Sequence, residues 1–217
     1  MIDLSVIEKD GFRLQKISRD ADEIILLKFR HKIFREQLRW VAESEDGLDL
    51  DEYDGFSDNY AVFNEKGEIV GSVRLTPGDF PFMVEREFSR LLPDLSAIHK
   101  GKQAAEITRF AVGMSENGIR HGTVFRLLYF ALYHWACAHQ VRWMYFVVEP
   151  PFFRHICRLG FPAFPVGEAL PLDRGVLSMA GFLDWEMAMP GFIRWLQKIA
   201  EVPVVTQAQS HEFDYSH

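Results

Sequence analysis

The chain is 217 residues long, 48% hydrophobic and 14% aromatic, with 19 phenylalanines and a formal net charge of −7. That length holds one large domain or two small ones, and the acidic balance argues against general nucleic-acid binding. The apolar stretches are too short for a transmembrane helix, the charged start (Asp3, Glu8, Lys9, Asp10) does not fit a signal peptide, and two cysteines make neither a disulfide framework nor a zinc site.

Residues 20–38 predict a helix. Asp20 or Asp22 caps its start, and Ile24, Ile25, Leu27, Phe29, Phe34 and Leu38 give an apolar stripe. Arg30 and Phe34, four apart, share a face, and Trp40 follows just beyond. Next comes the run Glu43, Glu45, Asp46, Asp49, Asp51, Glu52, Asp54 and Asp58, eight carboxylates in sixteen residues with no Lys or Arg. Such a run repels itself, so it is either a solvated loop or the host of a cation. Its spacing is not that of an EF-hand, because the fifth position from Asp49 is Tyr53 and the twelfth is Tyr60.

Residues 59–64 and 68–75 predict a hairpin turning at Glu65-Lys66-Gly67 and ended by Pro77 and Pro81. Residues 104–112 predict a strand that holds Glu106 and Arg109 among apolar residues, so at least one charge is buried and needs a partner. Residues 122–139 predict a strongly apolar helix. Residues 143–148 predict a buried strand stopped by Pro150-Pro151, and 152–159 a short helix closed by Gly160. Strands near 161–166 and 176–184 and a helix at 190–200 complete an α/β pattern: one domain over 1–202 and a polar tail over 203–217. Cys137 and Cys157 sit in apolar segments and are expected as buried thiols in a reducing cytosol. Between Asn117 and Gly160, Arg120, Arg126, Arg142, Arg154 and Arg158 face only Glu149. An acidic half before a basic stretch suggests one cationic and one anionic ligand; the alternative is arginines scattered on exposed helix faces.

HExxH, Walker and GxGxxG patterns are absent, and the eight histidines show no ligand spacing, so neither a metal nor a bound cofactor is expected. What remains is a constellation: Arg30, Phe34 and Trp40, then Asp51 and Asp54, then Arg74, then Glu106, Thr108 and Arg109. On its residues alone it is either a salt-bridge network that fixes the loop or a site.

The pattern R-x3-F-x3-L-x-W (Arg30, Phe34, Leu38, Trp40), then DG-x3-D-x2-D (Asp46, Gly47, Asp51, Asp54), then S-V-R (Ser72–Arg74) and E-x-[ST]-R-F-x-V (Glu106–Val112), resembles the acyl-homoserine lactone synthases, the LuxI-type autoinducer synthases. The resemblance implies an α/β, N-acetyltransferase-like (GNAT-like) three-layer fold, a twisted mixed sheet flanked by helices with a V-shaped splay between two central strands. It implies a cytoplasmic acyltransferase that joins S-adenosyl-L-methionine to an acyl thioester on acyl carrier protein or coenzyme A. The products are N-acyl-L-homoserine lactone, a quorum-sensing signal, and methylthioadenosine. S-adenosylmethionine is then a substrate and no cofactor is implied. Glu106 is expected as the base, and Arg109, Arg30 and Arg74 as orienting Asp51, Asp54 and the ligand. Phe34, Trp40, Asp51, Asp54 and Thr108 are expected around S-adenosylmethionine. The acyl pocket is expected at Leu128, Trp143, Met144, Phe146 and Val148, whose bulky aromatics favour a short, branched or aryl acyl group. The alternatives are an N-acyl amino acid synthase of the same fold and a non-catalytic acyl-thioester-binding module.

Overall fold

The computed structural model describes residues 6–18, 21–113, 121–172 and 175–199. The expected polar tail lies outside them. The chain opens on a hairpin not foreseen from the sequence, β1 (Ile7–Lys9) and β2 (Phe12–Ile17). Its turn is Asp10-Gly11, with φ of 52° and 79°. A two-residue hairpin turn of the mirror-image type needs positive φ at both positions, which Asp-Gly supplies.

The helix expected over 20–38 is α-helical only in its first half, α1 (Ala21–Arg30); His31–Gln37 continues it in wider π-helical turns. The buried stripe is Leu26, Leu27, Arg30, Ile33 and Phe34. The predicted stripe is therefore corrected: Ile24, Ile25 and Leu38 face outward. The spacing allowed two adjacent stripes, and burial of Arg30 against the acidic run selects the one that contains it.

The predicted hairpin is β3 (Asp58–Phe63) and β4 (Ile69–Pro77). A one-turn helix, α2 (Met83–Arg86), follows, and then β5 (Ala104–Val112). α3 (His121–His139) is the long apolar helix, and β6 (Trp143–Val148) the buried strand. α4 (Pro150–Leu159) starts on two prolines and stops at Gly160, whose φ is 97°. β7 (Ala163–Pro165), β8 (Leu170–Pro171), β9 (Leu177–Asp184) and α5 (Pro190–Gln197) complete the described chain.

One sheet runs in the order β1-β2-β3-β4-β5-β6-β9-β7, with β8 on β9. Its pairs are antiparallel except β5 with β6. The parallel register is Ala104–Trp143, Ala105–Met144 and Glu106–Tyr145, where it stops. β5 runs on to Val112 and β6 to Val148 without pairing each other, so the sheet opens in a V whose apex is Glu106. α3, α4 and α5 cover one face, with Leu127, Leu128, Ala131 and Trp135 of α3 in the main core. α1, the acidic segment and α2 cover the other. This is the expected mixed sheet between helical layers.

Both cysteines correct the sequence reading, since Cys137 and Cys157 are exposed. Each lies one residue past a buried position, Ala136 and Ile156, and the 100° step of a helix turns it out of the core.

Candidate active site

Alternation along the central strands divides polar from apolar. In β4, Ser72, Arg74 and Thr76 point to the face covered by α1 and α2, while Val73 and Leu75 join the α3 core. In β5, Glu106 and Thr108 point the same way as Arg74, and Ala105 and Ile107 point to α3. The register between β4 and β5 then shifts: Arg74 faces Thr108 but Ser72 faces Ala111, so β5 carries one extra residue. That residue is Arg109, with a left-handed φ of 51°, and its carbonyl accepts a 3.1 Å hydrogen bond from Ser72 Oγ. The bulge puts two successive side chains, Thr108 and Arg109, on the site face.

The acidic segment folds over this face. Asp51 caps a short 3-10 turn (Glu52–Phe56): its side chain accepts from Tyr53 N at 3.0 Å, and Asp54 accepts from Asp51 N at 3.0 Å. Arg30, fully buried, donates to Asp54 through Nη1 (2.7 Å) and Nη2 (3.1 Å), and to Asp49 through Nε (3.0 Å). Arg74 donates from Nη1 to Asp51 at 2.5 Å and from Nε to Thr108 Oγ1 at 2.9 Å. Arg109 bridges Asp49 (Nε, 2.6 Å) and Asp51 (Nη2, 3.0 Å), and its guanidinium lies 5.3 Å from the centre of the Phe34 ring. The structure thus brings Arg30, Asp51, Asp54, Arg74, Thr108 and Arg109 into one network beside Phe34.

Two members were missed. Asp49, given no role from the sequence, is completely buried and holds Arg30, Arg35 and Arg109. The signal was the alternation Leu48-Asp49-Leu50-Asp51, which in an extended segment puts both carboxylates on one side. Met83 is the second: its sulfur lies 3.2 Å from Arg74 Nη2. Elsewhere in the acidic run, Asp58 pairs with Lys16 (2.7 Å) and Glu52 with Arg86 (3.2 Å).

Burial raises the Asp49 carboxyl, but Arg109 and Arg30 outweigh it and hold the group well below the usual carboxylate range. Asp54 is likewise held low by Arg30 and Arg74 against its burial. Glu106 behaves oppositely. It is buried, and its two oxygens accept from Met83 N and Val84 N at the start of α2, both at 2.7 Å. Burial pushes its pKa up to about 7, although those amides and Arg74 favour the charged form. A carboxyl poised near neutrality in a buried position beside Arg74 has the properties of a proton acceptor.

Trp40 stands 46% exposed, its ring 6.1 Å from Phe34, so it belongs to the rim. Leu128, Met144, Phe146 and Val148 lie on the α3 face of the splay. Trp143 does not, which corrects the predicted acyl pocket. It points to the opposite face and stacks on His99 at 4.1 Å, because adjacent strand residues cannot share a face. The basic stretch is also reduced, since Arg142 is bound by Asp184 and Glu186. Arg120 lies outside the described residues.

A family model described as autoinducer synthase matches residues 15–189. The acyl-homoserine-lactone synthase of Vibrio anguillarum is 30% identical over 151 residues, 68% of this chain and 78% of that one. BjaI, a coenzyme A-dependent acyl-homoserine lactone synthase solved with SAM and isopentyl-CoA, superposes with a TM-score of 0.73 at 19% identity, over 91% of this chain and 90% of its own. A Lactobacillus plantarum structure assigned to the N-acetyltransferases shares the fold more distantly, with a TM-score of 0.56 at 12% identity over 81% and 99% of the two chains.

Proposed function

The chain belongs to the autoinducer synthase family, and on that premise we propose that it makes N-acyl-L-homoserine lactone from S-adenosyl-L-methionine and an acyl thioester, releasing methylthioadenosine. The observation that carries this reading is the position of Glu106. It sits at the apex of the V, with its pKa near 7, on the face that holds the arginine–aspartate network.

S-adenosylmethionine carries a sulfonium, an α-ammonium and a carboxylate. Asp51, Phe34 and the rim residue Trp40 supply negative charge and aromatic faces for the cation. The guanidinium of Arg109 supplies charge-assisted donors for the carboxylate. Asp49 and Asp54 are occupied by arginines and act as positioning residues. Thr108 positions Arg74.

Attack requires the neutral amine. An α-amino pKa of about 8 leaves about a tenth of it free at neutral pH, so a base near 7 is sufficient, and Glu106 takes that proton. The amine nitrogen then bonds to the thioester carbonyl, the C–S bond breaks, and the thiol leaves with a proton. Next the carboxylate oxygen attacks the γ-carbon of the methionine part. The C–S bond to the sulfonium breaks, its electron pair stays on sulfur, and neutral methylthioadenosine departs as the lactone closes. The two opposite charges cancel in that step.

The thioester arm enters between the splayed strands, where the β5-facing edge of β6 beyond Tyr145 offers unpaired backbone groups to the pantetheine amides, in the manner of an added strand. The exposed Arg126, Arg154 and Arg158 fit a donor that is anionic, either coenzyme A or the acidic surface of a carrier protein.

The test is incubation of the purified chain with S-adenosylmethionine and acyl thioesters on either carrier, followed by mass spectrometry. Lactone, methylthioadenosine and thiol in equal amounts support the reading. Acyl amino acid without lactone would turn it to an N-acyl amino acid synthase, and no acylated product to a binding module.

A further inference from the structure

Glu106 is held by backbone amides, and those amides are themselves held by a side chain outside the arginine–aspartate network. Both Glu106 oxygens accept from consecutive amides, Met83 N and Val84 N, at 2.7 Å. α2 is one turn long, too short to keep those amides in place by its own hydrogen bonds, so its start must be fixed from outside.

Lys100 supplies that anchor. Its ammonium donates to Phe80 O (2.7 Å) and to Glu85 Oε2 (2.8 Å), and stands 3.4 Å from the centre of the Phe82 ring. The same Glu85 oxygen accepts from Phe82 N at 2.9 Å. One cation thus ties together residues 80, 82 and 85, on either side of the two amides. Phe82 is fully buried against Tyr145, the β6 residue that stands beside Glu106 in the parallel register. The backbone next to Lys100 is anchored as well. Gly101 N donates to Gly78 O at 3.1 Å, and Gly78 N to Ala104 O at 2.8 Å, which fastens the start of β5 to the end of β4. A Cβ on Gly78 would meet Ala104 O at 2.6 Å, so that close approach needs glycine.

Lys100 and Glu85 keep side chains 35% and 23% exposed, and an ion pair so placed contributes little stability by itself. Its geometry points instead to the amides. We propose that Lys100 is a positioning residue for the synthase reaction: through Phe80, Phe82 and Glu85 it aims Met83 N and Val84 N at the carboxylate of Glu106 and so governs the base. This inference rests on the synthase reading and adds a residue to it. Two cations act on Glu106, Arg74 from β4 and Lys100 from the connection before β5, and both favour its ionised form, as do the two amides. The Tyr145 phenol on β6 is engaged by His99. Loss of Lys100 removes a cation and loosens the amides, and both changes raise the pKa of Glu106.

The experiment follows the Glu106 carboxyl by carbon-13 NMR titration of the full-length chain, with the signal assigned by its loss in Glu106→Gln, beside the pH profile of kcat/KM for lactone formation. Lys100→Met keeps the stem and loses the charge. It is expected to move the Glu106 titration and the acid limb of activity together, to higher pH by about half a pH unit or more. Lys100→Arg keeps the charge and should hold both where they stand. Glu85→Gln keeps an acceptor for Phe82 N without the ion pair and should move them part of the way. In a Glu106→Gln background, Lys100→Met should cost no further activity, because it acts through that carboxyl. A titration that stays in place in Lys100→Met, or an equal fold-loss of activity on both backgrounds, overturns the inference and leaves the synthase reading standing. No lactone from the unaltered chain, with a titration that still moves, removes the synthase reading and leaves Lys100 as the residue that positions Glu106. No lactone and an unmoved titration remove both.

Discussion

Arg109 Nε lies 2.6 Å from Asp49 Oδ2, although 60 positions separate the two residues in the chain. The contact requires Arg109 to adopt a left-handed backbone conformation, which costs about 1–2 kcal/mol for a residue with a Cβ. The network of Arg30, Asp49, Asp51 and Arg109 is what holds it there. Comparing two replacements separates side chain from backbone. Arg109→Ala and Arg109→Gly both lose the guanidinium and should both lose lactone synthesis. Arg109→Gly should nevertheless be the more stable by about 1 kcal/mol, because only glycine is relaxed at that φ. Equal urea midpoints for the two would show that the bulge is unstrained.

Asp49 and Asp51 differ in burial, and so in what their replacement should do. Asp49→Ala leaves three arginine contacts without their carboxylate and should cost about 3–5 kcal/mol in urea unfolding. Asp51 keeps a side chain 20% exposed. Asp51→Asn should therefore raise KM for S-adenosylmethionine more than it lowers stability. A large stability loss with unchanged KM would move Asp51 to the same class as Asp49.

The pH dependence follows from two opposite shifts. Glu106 is raised from 4.5 to about 7, so the folded state binds its proton more tightly. The stability this gives is complete below pH 4.5 and is lost as pH rises through 7, to the extent of about 3 kcal/mol. Asp49 and Asp54 are lowered from 3.8, so their contribution is present above that value and lost as pH falls below it. Urea midpoints should peak on the acid side of neutrality. Activity, in contrast, should rise with pH through about 7, and Glu106→Gln should remove that limb together with about 10²–10⁴ of kcat. A limb retained in Glu106→Gln would assign the titration elsewhere.

The two faces of β6 give a further test. Phe146→Ala, on the α3 face, should shift donor preference toward longer or bulkier acyl groups. Trp143→Phe, stacked on His99 across the sheet, should leave that preference unchanged. Gly181 of β9 belongs to the first set, because a Cβ there would meet Phe153 at 2.9 Å and Phe146 at 3.0 Å. Gly181→Ala should cost about 1–3 kcal/mol and narrow the range of accepted chains. Product profiles by mass spectrometry read all three.

The sequence showed the strands at 104–112 and 143–148 at their true bounds, because each is a β-rich run with clear stops. It showed Glu106 and Arg109 as charges in an apolar strand that need partners, whereas the roles of Arg30 and Arg74 came with the resemblance to the family. It did not show Asp49, whose burial depends on three arginines from two other parts of the chain. Nor did it show the extra residue in β5, since a bulge is a property of pairing between strands. The misplaced Trp143 has a simpler cause, namely that composition was allowed to override alternation. The Asp10-Gly11 hairpin was legible and overlooked.

The ion pairs among Arg30, Asp49, Asp51, Asp54, Arg74 and Arg109 also carry a timetable. On a ribosome, Asp49 emerges in the company of Arg30 and Arg35, but Arg109 follows 60 positions later. At about 5–20 residues per second that is an interval of about 3–12 s. Throughout it the acidic segment lacks the guanidinium that joins Asp49 to Asp51, so the ion-pair network is complete only when β5 has joined the sheet. The finished network is thereby a readout of completed central pairing, because its last cation arrives on the strand that completes the middle of the sheet.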